Sequence, residues 1–179
     1  MIRAITSMDF EQVRSIFYET SAVQVFSSEE VKKKFEWKYL GWYLENHRNL
    51  FFVAEEISPV AGTSKNKILG YIACCPDTKN APDLLSLNPS LEIFRDFYEQ
   101  YPAHLHINLS AEARGKGLGS VLIQHLEGEL RQKNISGLHL LTSPNARNRS
   151  FYSKNGFSEE VERHYKEAAL LFMGKKLGN

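Results

Sequence analysis

The chain contains short segments in which apolar and polar side chains alternate, and longer segments with a helical repeat. Residues 103–109 alternate in this way, which predicts a β-strand. The segment after residue 117 predicts an amphipathic helix. Its apolar face is expected to carry Leu118, Val121, Leu122, Leu126 and Leu130. A glycine-rich stretch at 114–119 joins the two, so the pattern predicts a strand, a tight turn and a helix in direct succession.

The first third of the chain predicts strands and helices in alternation. Residues 2–5 indicate a strand, and Thr6 or Ser7 is expected to cap a helix. A capping box at 27–30, with Ser27 reaching forward and Glu30 reaching back, predicts the start of a second helix. That helix carries the aromatic residues Phe35, Trp37, Tyr39, Trp42 and Tyr43. Strands at 50–55 and 68–74, joined by a polar loop at 58–67, predict a hairpin.

The remaining segments predict three further strands and two further helices. Residues 76–89 read as irregular, and Asn88 and Pro89 fit the cap and first turn of a helix that runs to about residue 100. A strand is expected at 138–142 and a helix at 147–155. Two closing strands are expected at 157–165 and 169–175. The whole order predicts an α/β (α+β) fold.

Composition limits the function classes. The 179 residues suit one domain with a normal core, since 42% are hydrophobic. With 22 basic and 21 acidic residues, no nucleic-acid-binding face is indicated. No long apolar run or signal-peptide pattern is found, so we expect a cytoplasmic protein with no membrane partner. Cys74 and Cys75 are expected to be buried, and no metal-ligand spacing is present.

The glycine stretch predicts a phosphate-binding loop. A strand, a glycine turn and a helix start leave backbone N–H groups pointing outward at the positive end of a helix dipole. Gly117 and Gly119 have no side chain that would block an anion. The spacing matches neither the P-loop nor the dinucleotide fingerprint. A glycine turn that only joins strand to helix is the structural alternative.

Two motifs in this order resemble the GNAT N-acetyltransferase superfamily. Residues 114–119 read R-x-x-G-x-G, which resembles the family's pyrophosphate loop. Downstream, the family's N-x-x-[AN]-x-x-x-Y-x-x-x-G-F segment is matched by Asn145, Asn148, Tyr152, Gly156 and Phe157. The resemblance implies acetyl-CoA (coenzyme A) as cofactor. It also implies a mixed central sheet of six to seven strands, flanked by helices, in which the fourth and fifth strands splay apart.

The resemblance covers most of the chain. We therefore expect one GNAT domain over 1–179, with a helical insertion at about 76–101. The strand after that insertion is also similar to the acetyltransferase-like domain of O-GlcNAc hydrolases, domains that can keep the fold without the activity.

The resemblance assigns cofactor contacts to two places. The first is the strand end and loop, namely Leu109, Ser110, Ala111, Arg114, Gly115, Lys116, Gly117, Leu118, Gly119 and Ser120. The second is the downstream motif, namely Asn145, Asn148 and Tyr152. Asn145 alternatively caps the helix after Pro144. Tyr152 matches the family's proton donor to the leaving thiol, and the structural alternative is that it packs beneath the last helix.

Candidates for the general base lie on one face of the 103–109 strand. His104, His106 and Asn108 share that face, which suggests a wet cleft toward the acceptor. Either histidine can take a proton near neutral pH, and Asn108 can only orient a substrate or a water. The aromatic residues Phe35, Trp37, Trp42 and Tyr43 wall the acceptor pocket or pack in the core.

Two functional hypotheses follow from these residues. The first is an acetyl-CoA-dependent N-acetyltransferase that acts on a primary amine, carried by a small molecule, a peptide or a protein. The second is a catalytically inactive acyl-CoA- or ligand-binding domain of the same fold. The acceptor and the oligomeric state stay open, with a homodimer among the alternatives.

Overall fold

The computed structural model describes residues 1–56 and 66–178 and shows a seven-stranded sheet flanked by helices. Of the predicted loop 58–67, residues 58–65 lie outside the described residues. The strands are β1 (Ile2–Ala4), β2 (Phe51–Glu56), β3 (Lys67–Cys75), β4 (Ala103–Leu109), β5 (Gly137–Thr142), β6 (Glu159–Tyr165) and β7 (Ala168–Lys176). Their order in the sheet is β1-β2-β3-β4-β5-β7-β6, so the predicted mixed α/β fold is confirmed.

The helices are short except for the one that follows the glycine loop. They are α1 (Phe10–Thr20), α2 (Glu29–Glu36), α3 (Trp42–Asn46), α4 (Pro82–Leu87), α5 (Leu118–Gln132) and α6 (Arg149–Lys154). A π-helical turn, Trp37–Gly41, connects α2 to α3. Four 3-10 segments lie at Ser7–Asp9, Arg48–Leu50, Pro89–Phe97 and Ala111–Ala113. No helix of the described chain is both long enough and apolar enough to cross a membrane.

The chain divides into two compact units. The first comprises Met1–Cys74 and His106–Leu126. Within it β1 and β2 pair antiparallel, with Ile2 opposite Ala54, and β2 pairs antiparallel with β3, with Phe51 opposite Ala73. Both faces of β2 are apolar and covered, because its first four residues are all buried. The core of this unit is therefore built on β2 and β3.

The second unit comprises Cys75–Leu105 and Glu127–Asn179. Its strands β5, β7 and β6 form antiparallel pairs, with Leu140 opposite Met173 in the first of them. The ladder between β4 and β5 is parallel and contains two pairs, Ala103 with Leu138 and His104 with His139. So short a ladder agrees with the splay expected for the fourth and fifth strands.

The predicted apolar face of α5 is confirmed at Leu122, Leu126 and Leu130, but not at Val121. Val121 is 48% exposed, whereas Ile123 is fully buried together with Leu122, Leu126 and Leu130. Val121 follows the glycine turn by four residues, at the solvent side of the first helical turn. The prediction for Val121 is therefore wrong.

One helix start differs from the expectation, and another confirms it. Ser28, not Ser27, caps α2, because its side-chain oxygen accepts a hydrogen bond from the Val31 amide. Thr6 is confirmed as a cap, since its amide and its hydroxyl both donate to the Asp9 carboxylate, each over 2.8 Å. The reciprocal carboxylate–amide contact holds the chain where β1 turns toward α1.

The segment at 76–101 is more ordered than predicted. Part of the stretch expected to be irregular forms α4, with Pro82 at its first turn. Asn88 precedes the following helix as expected, but that helix is 3-10 rather than α and is kinked at Phe94. A proline at the first turn satisfies either helix type, because its missing N–H has no intrahelical partner there.

Candidate active site

The end of β4 is held against β3 by close backbone packing. A Cβ placed on Gly70 would lie 2.4 Å from Leu109 Cδ2 and 2.8 Å from the carbonyl oxygen of Asn108. The amide of Ser110 donates to the carbonyl oxygen of Leu69 over 2.9 Å. Gly70 is therefore required where it stands, and its absent side chain lets the chain leave β4 at a fixed point.

The glycine loop that follows is open to solvent. Gly115 and Gly117 have φ values of +73° and +78°, and a Cβ built on either would meet no atom within 4 Å. These glycines are thus needed for their backbone conformation and not for lack of room. Arg114 bends back, its Nε donating to the carbonyl oxygen of Leu109 over 3.3 Å.

The loop runs directly into α5. The amides of Ser120 and Val121 donate to the carbonyl oxygen of Gly117, so the helical hydrogen bonds begin at Gly117. The amides that precede Ser120 have no acceptor within the helix, because the first N–H groups of any helix lack one. Arg114 and Lys116 are exposed beside them. The loop thus offers backbone donors, a helix dipole and two cationic side chains to an anion.

The residues assigned to the first cofactor-binding group fall along this path. Ala111, Arg114, Gly115, Lys116 and Gly117 are exposed, which suits contact with a ligand. Leu109, Leu118 and Ser120 are half-buried, and Ser110 and Gly119 are buried. The hydroxyl oxygen of Ser110 is enclosed and has no hydrogen-bond partner within the described chain. A buried hydroxyl without a partner is costly, so a ligand group or a water is its expected acceptor.

His106 lies against two tyrosines of the aromatic segment. Its ring meets Tyr39 and Tyr43 edge-on, with centroid separations of 5.5 and 5.1 Å. The π-helical turn precedes α3 and ends in a hydrogen bond from the Trp42 amide to the carbonyl oxygen of Trp37. A wider turn of this kind is frequent at functional sites. His106 therefore faces aromatic side chains, whereas a wet cleft was expected on this face of the strand.

The aromatic surroundings keep His106 uncharged. Burial, followed by the positive charge of Lys38, lowers the pKa of His106 to about 4. Because this value lies far below neutral pH, the imidazole is neutral there. The same shift makes His106 a weak base.

Asn108 is directed toward β3. Its side-chain amide donates to the Tyr71 hydroxyl oxygen over 2.7 Å. Tyr71 is fully buried, and its ring stacks on Phe51 at 5.3 Å between centroids. Sequence reasoning missed Tyr71, although a hydroxyl in an otherwise apolar strand was a signal for it.

His104 belongs to the second unit and is 2% exposed. Its ring lies 5.1 Å from the ring of His139, its partner in the ladder. The Nδ1–H of His139 donates to the carbonyl oxygen of Tyr101 over 2.6 Å. His104 thus lies in a packed aromatic environment, not in the wet cleft expected for it.

Tyr152 is also in the second unit. Its side chain is 6% exposed and meets Phe151 and Phe157 edge-on. Burial raises the pKa of Tyr152 to about 12, which keeps the phenol protonated at neutral pH. A protonated phenol is compatible with proton donation and with packing alike.

The downstream asparagines are exposed. Asn148, and not Asn145, precedes α6, so the alternative that Asn145 caps this helix is wrong. The Asn148 side-chain oxygen accepts a hydrogen bond from the Thr142 hydroxyl over 3.2 Å. Arg149 pairs with Glu160.

The aromatic residues proposed as pocket walls divide into two groups. Trp42 and Tyr43 are buried, whereas Phe35 is half-buried and Trp37 is 41% exposed. The first unit thus contains His106, Asn108, the loop and this aromatic segment. In the described parts of the chain, no cluster of three histidine, cysteine or acidic side chains could hold a metal ion. Cys74 and Cys75 are buried, as expected.

The whole span from the start of α1 to the third residue after α6 matches a known protein family. The sequence model of the Acetyltransferase (GNAT) family covers residues 10–157. The chain belongs to the GNAT acetyltransferase family. Both motifs described above lie within the matched span, so the predicted resemblance is confirmed.

Three solved structures illustrate what this GNAT chain resembles. The structure of SsHAT is 19% identical with a TM-score of 0.74, covering 100% of this chain and 98% of its own. A ribosomal-protein-alanine N-acetyltransferase from Brucella melitensis is 23% identical with a TM-score of 0.61, covering 99% of both chains. A chain of the NatC complex bound to Gag peptide and CoA is 13% identical with a TM-score of 0.63, covering 99% of this chain and 98% of its own. At these identities the likeness establishes the GNAT fold.

Proposed function

We propose that the chain is an acetyl-CoA-dependent N-acetyltransferase that moves the acetyl group to a primary amine by direct attack in a ternary complex. The observation that carries the proposal is the open loop of Arg114, Gly115 and Gly117 at the start of α5. It supplies the backbone donors that a diphosphate needs. Membership of the GNAT family and the CoA complex of the NatC relative support the same cofactor.

The residues of the loop divide the work of binding. Amides between Gly115 and Ser120 hold the diphosphate, and Arg114 and Lys116 add positive charge. Main-chain groups near Leu109 and Ala111 hold the pantetheine arm and the thioester carbonyl. Asn145 and Asn148 contribute to the same cofactor. Acetyl-CoA supplies an acetyl group activated by its thioester bond.

The reaction requires one proton to leave and one to arrive. The amine nitrogen forms a bond to the acetyl carbon, the carbon–sulfur bond breaks, the amine loses a proton and the thiolate gains one. His106 accepts the first proton, directly or through a water, while Asn108 orients the amine. Tyr152 donates the second, because its phenol is protonated at neutral pH. His104 is the second choice of base, and its burial makes it less suited than His106.

Binding and turnover are tested separately. Calorimetric titration with acetyl-CoA should show one site, and a thiol-release assay over a panel of amines should then show turnover. Tyr152→Phe should lower kcat about tenfold to a hundredfold and leave the Kd for acetyl-CoA nearly unchanged. Tyr165→Phe, on the partly exposed strand β6, is the matched control. Failure to bind acetyl-CoA would refute the proposal, and an unchanged kcat would remove Tyr152 as the proton donor.

A second candidate function is acyl-CoA binding without transfer. One observation favours it, namely that burial lowers the pKa of His106 to about 4 and leaves a weak base. The titration and the assay separate the two, because this candidate predicts binding with no thiol release from any amine. The proposal further includes one acetyltransferase domain over 1–179 and a cytoplasmic location, with a homodimer among its possible states.

A further inference from the structure

A continuous row of aromatic rings leads to His106 within the first unit. The aromatic row consists of Phe26, Phe35, Tyr39, His106 and Tyr43. Neighbouring centroids are separated by 5.2, 4.9, 5.5 and 5.1 Å in that order. The first four rings are half-buried, so each leaves part of its surface open. An exposed apolar strip that ends at a candidate base is suited to a flat apolar ligand.

The far end of the row opens into a hollow. Its lining includes Tyr18 and Phe26, together with Val23, Val25 and Lys32. Val25 is 87% exposed and Val23 is 39% exposed, although both are apolar. The hollow therefore extends the apolar surface beyond Phe26, and gives room for a side chain that runs along the row away from His106.

Lys38 places a positive charge on the same row. Its ammonium lies 4.7 Å from the centroid of the Tyr39 ring, the ring that also contacts His106. Over the described residues, 1–56 and 66–178, no carboxylate forms a salt bridge with Lys38, whereas Lys32 and Lys34 of α2 pair with Glu29 and Glu30. Lys38 thus brings a charge to the row that no neighbouring carboxylate offsets.

This charge is unfavourable for a simple amine. A primary amine is a cation at neutral pH, and a like charge nearby disfavours its binding. An acceptor that also carries a carboxylate removes the penalty, because the carboxylate pairs with the lysine. Once such an acceptor is bound, the lysine still favours the neutral form of the amine, which is the form that attacks.

We propose, on the basis of the proposed function, that the acceptor is an aromatic amino acid and that Lys38 is its specificity-determining residue. The amine lies at His106, the carboxylate pairs with Lys38, and the side chain packs on Tyr39 and Phe35 toward the hollow. The amine, the carboxylate and the aromatic ring of one ligand thus each have a partner in the first unit.

Three acceptors that differ in one feature each test this assignment. L-phenylalanine carries the ring and the carboxylate, 2-phenylethylamine lacks the carboxylate, and L-alanine lacks the ring. With saturating acetyl-CoA, L-phenylalanine should exceed both others in kcat/KM by about tenfold or more. A preference for 2-phenylethylamine, or for L-alanine, over L-phenylalanine would overturn the inference while leaving the proposed function intact.

Two substitutions test separately the contribution of the Lys38 charge and that of the Phe35 ring. Lys38→Met should raise the KM for L-phenylalanine about tenfold and leave that for 2-phenylethylamine unchanged or lower. Lys33→Met removes an exposed lysine of α2 and is the matched control. Phe35→Leu should reduce the preference for L-phenylalanine over L-alanine. Equal losses for both amines in Lys38→Met would contradict the assignment of the charge.

A binding measurement covers the case in which the proposed function fails. If no amine releases thiol, calorimetric titration of L-phenylalanine into the CoA-loaded protein tests the site without turnover. Binding to the unaltered chain that is lost in Lys38→Met and kept in Lys33→Met supports the inference. Absence of binding to the unaltered chain overturns it.

Discussion

The side-chain amide of Asn108 donates a hydrogen bond to the hydroxyl oxygen of Tyr71, over 2.7 Å. This contact joins β4 to β3 immediately before the glycine loop. It fixes the direction of Asn108 on the strand face that also carries His106. Any role of Asn108 toward an acceptor therefore depends on a residue that is itself fully buried.

Removal of the Tyr71 hydroxyl should weaken this connection. In Tyr71→Phe the half-buried Asn108 amide loses its acceptor, and we expect a loss of about 1 kcal/mol in the free energy of unfolding. Urea denaturation measures it, and Tyr165→Phe on β6 is the control with no expected change. A variant of unaltered stability would mean that Asn108 finds another partner.

The backbone conformation of Gly115 leads to a second prediction. At φ of +73° an alanine is strained although its Cβ has room, so Gly115→Ala should cost about 1 kcal/mol of stability. It should also weaken acetyl-CoA binding, because the loop amides would turn. Gly128→Ala in α5 is the control, since its Cβ also meets no atom within 4 Å but its helical backbone favours alanine. Gly128→Ala should be neutral or stabilising in the same calorimetric and urea measurements.

The glycine loop and the strand before it could be predicted from the sequence. Alternation predicted the bounds of β4 without error, because a strand with one polar face has a clear two-residue period. The glycines marked the turn, since a positive φ can be inferred from residue type. Both signals are local, and local signals are readable from sequence.

The surroundings of the candidate bases could not be predicted in the same way. His104 and His106 share a face in the sequence pattern, yet one packs on His139 and the other on Tyr39 and Tyr43. Those partners are distant in the chain, so no period indicates them. Lys38 and the Tyr39 ring that it contacts lie in the π-helical turn, which no residue pattern predicts.

His139, a buried histidine of the second unit, predicts acid sensitivity. Burial lowers the pKa of His139 to about 3, whereas its ordinary value is 6.5. Between these values the unfolded chain binds a proton that the folded chain does not. Stability is therefore complete above pH 6.5 and falls by about 1.4 kcal/mol per pH unit below it, from this group alone.

The replacement His139→Leu tests this slope. The Leu variant loses the hydrogen bond to the carbonyl oxygen of Tyr101, so its stability at pH 7.5 should be lower. Its decline between pH 6.5 and pH 4 should be shallower by that slope. His164→Leu, at an exposed position of β6, is the control with no expected change in slope. Parallel curves for the unaltered chain and His139→Leu would exclude His139 as the cause.

An ion cluster at the start of the chain gives a last prediction. Removal of its arginine should reverse the pH dependence of the stability that its two carboxylates contribute. Arg3 pairs with both Asp9 and Glu55, at 2.7 and 2.8 Å, and these two carboxyl side chains are only 5% and 2% exposed. The arginine lowers the pKa of Asp9 to about 2 and also lowers that of Glu55. Stability from these carboxylates is present above their unfolded pKa values and is lost as the pH falls through their folded values.

Arg3→Met removes the shared cation and leaves two buried carboxylates together. We expect a loss of about 3 kcal/mol at pH 7, because an uncompensated buried charge is costly. The deficit of the variant relative to the unaltered chain should then shrink as the pH falls from 7 toward 4, because protonation of the two carboxylates relieves their repulsion. Arg95→Met, which breaks an exposed pair with Glu92, should change stability by less than about 0.5 kcal/mol at either pH. Urea titrations at pH 4.5 and pH 7 of all three proteins measure this deficit, and a deficit at pH 4.5 as large as that at pH 7 would show that Arg3 does not neutralise this pair.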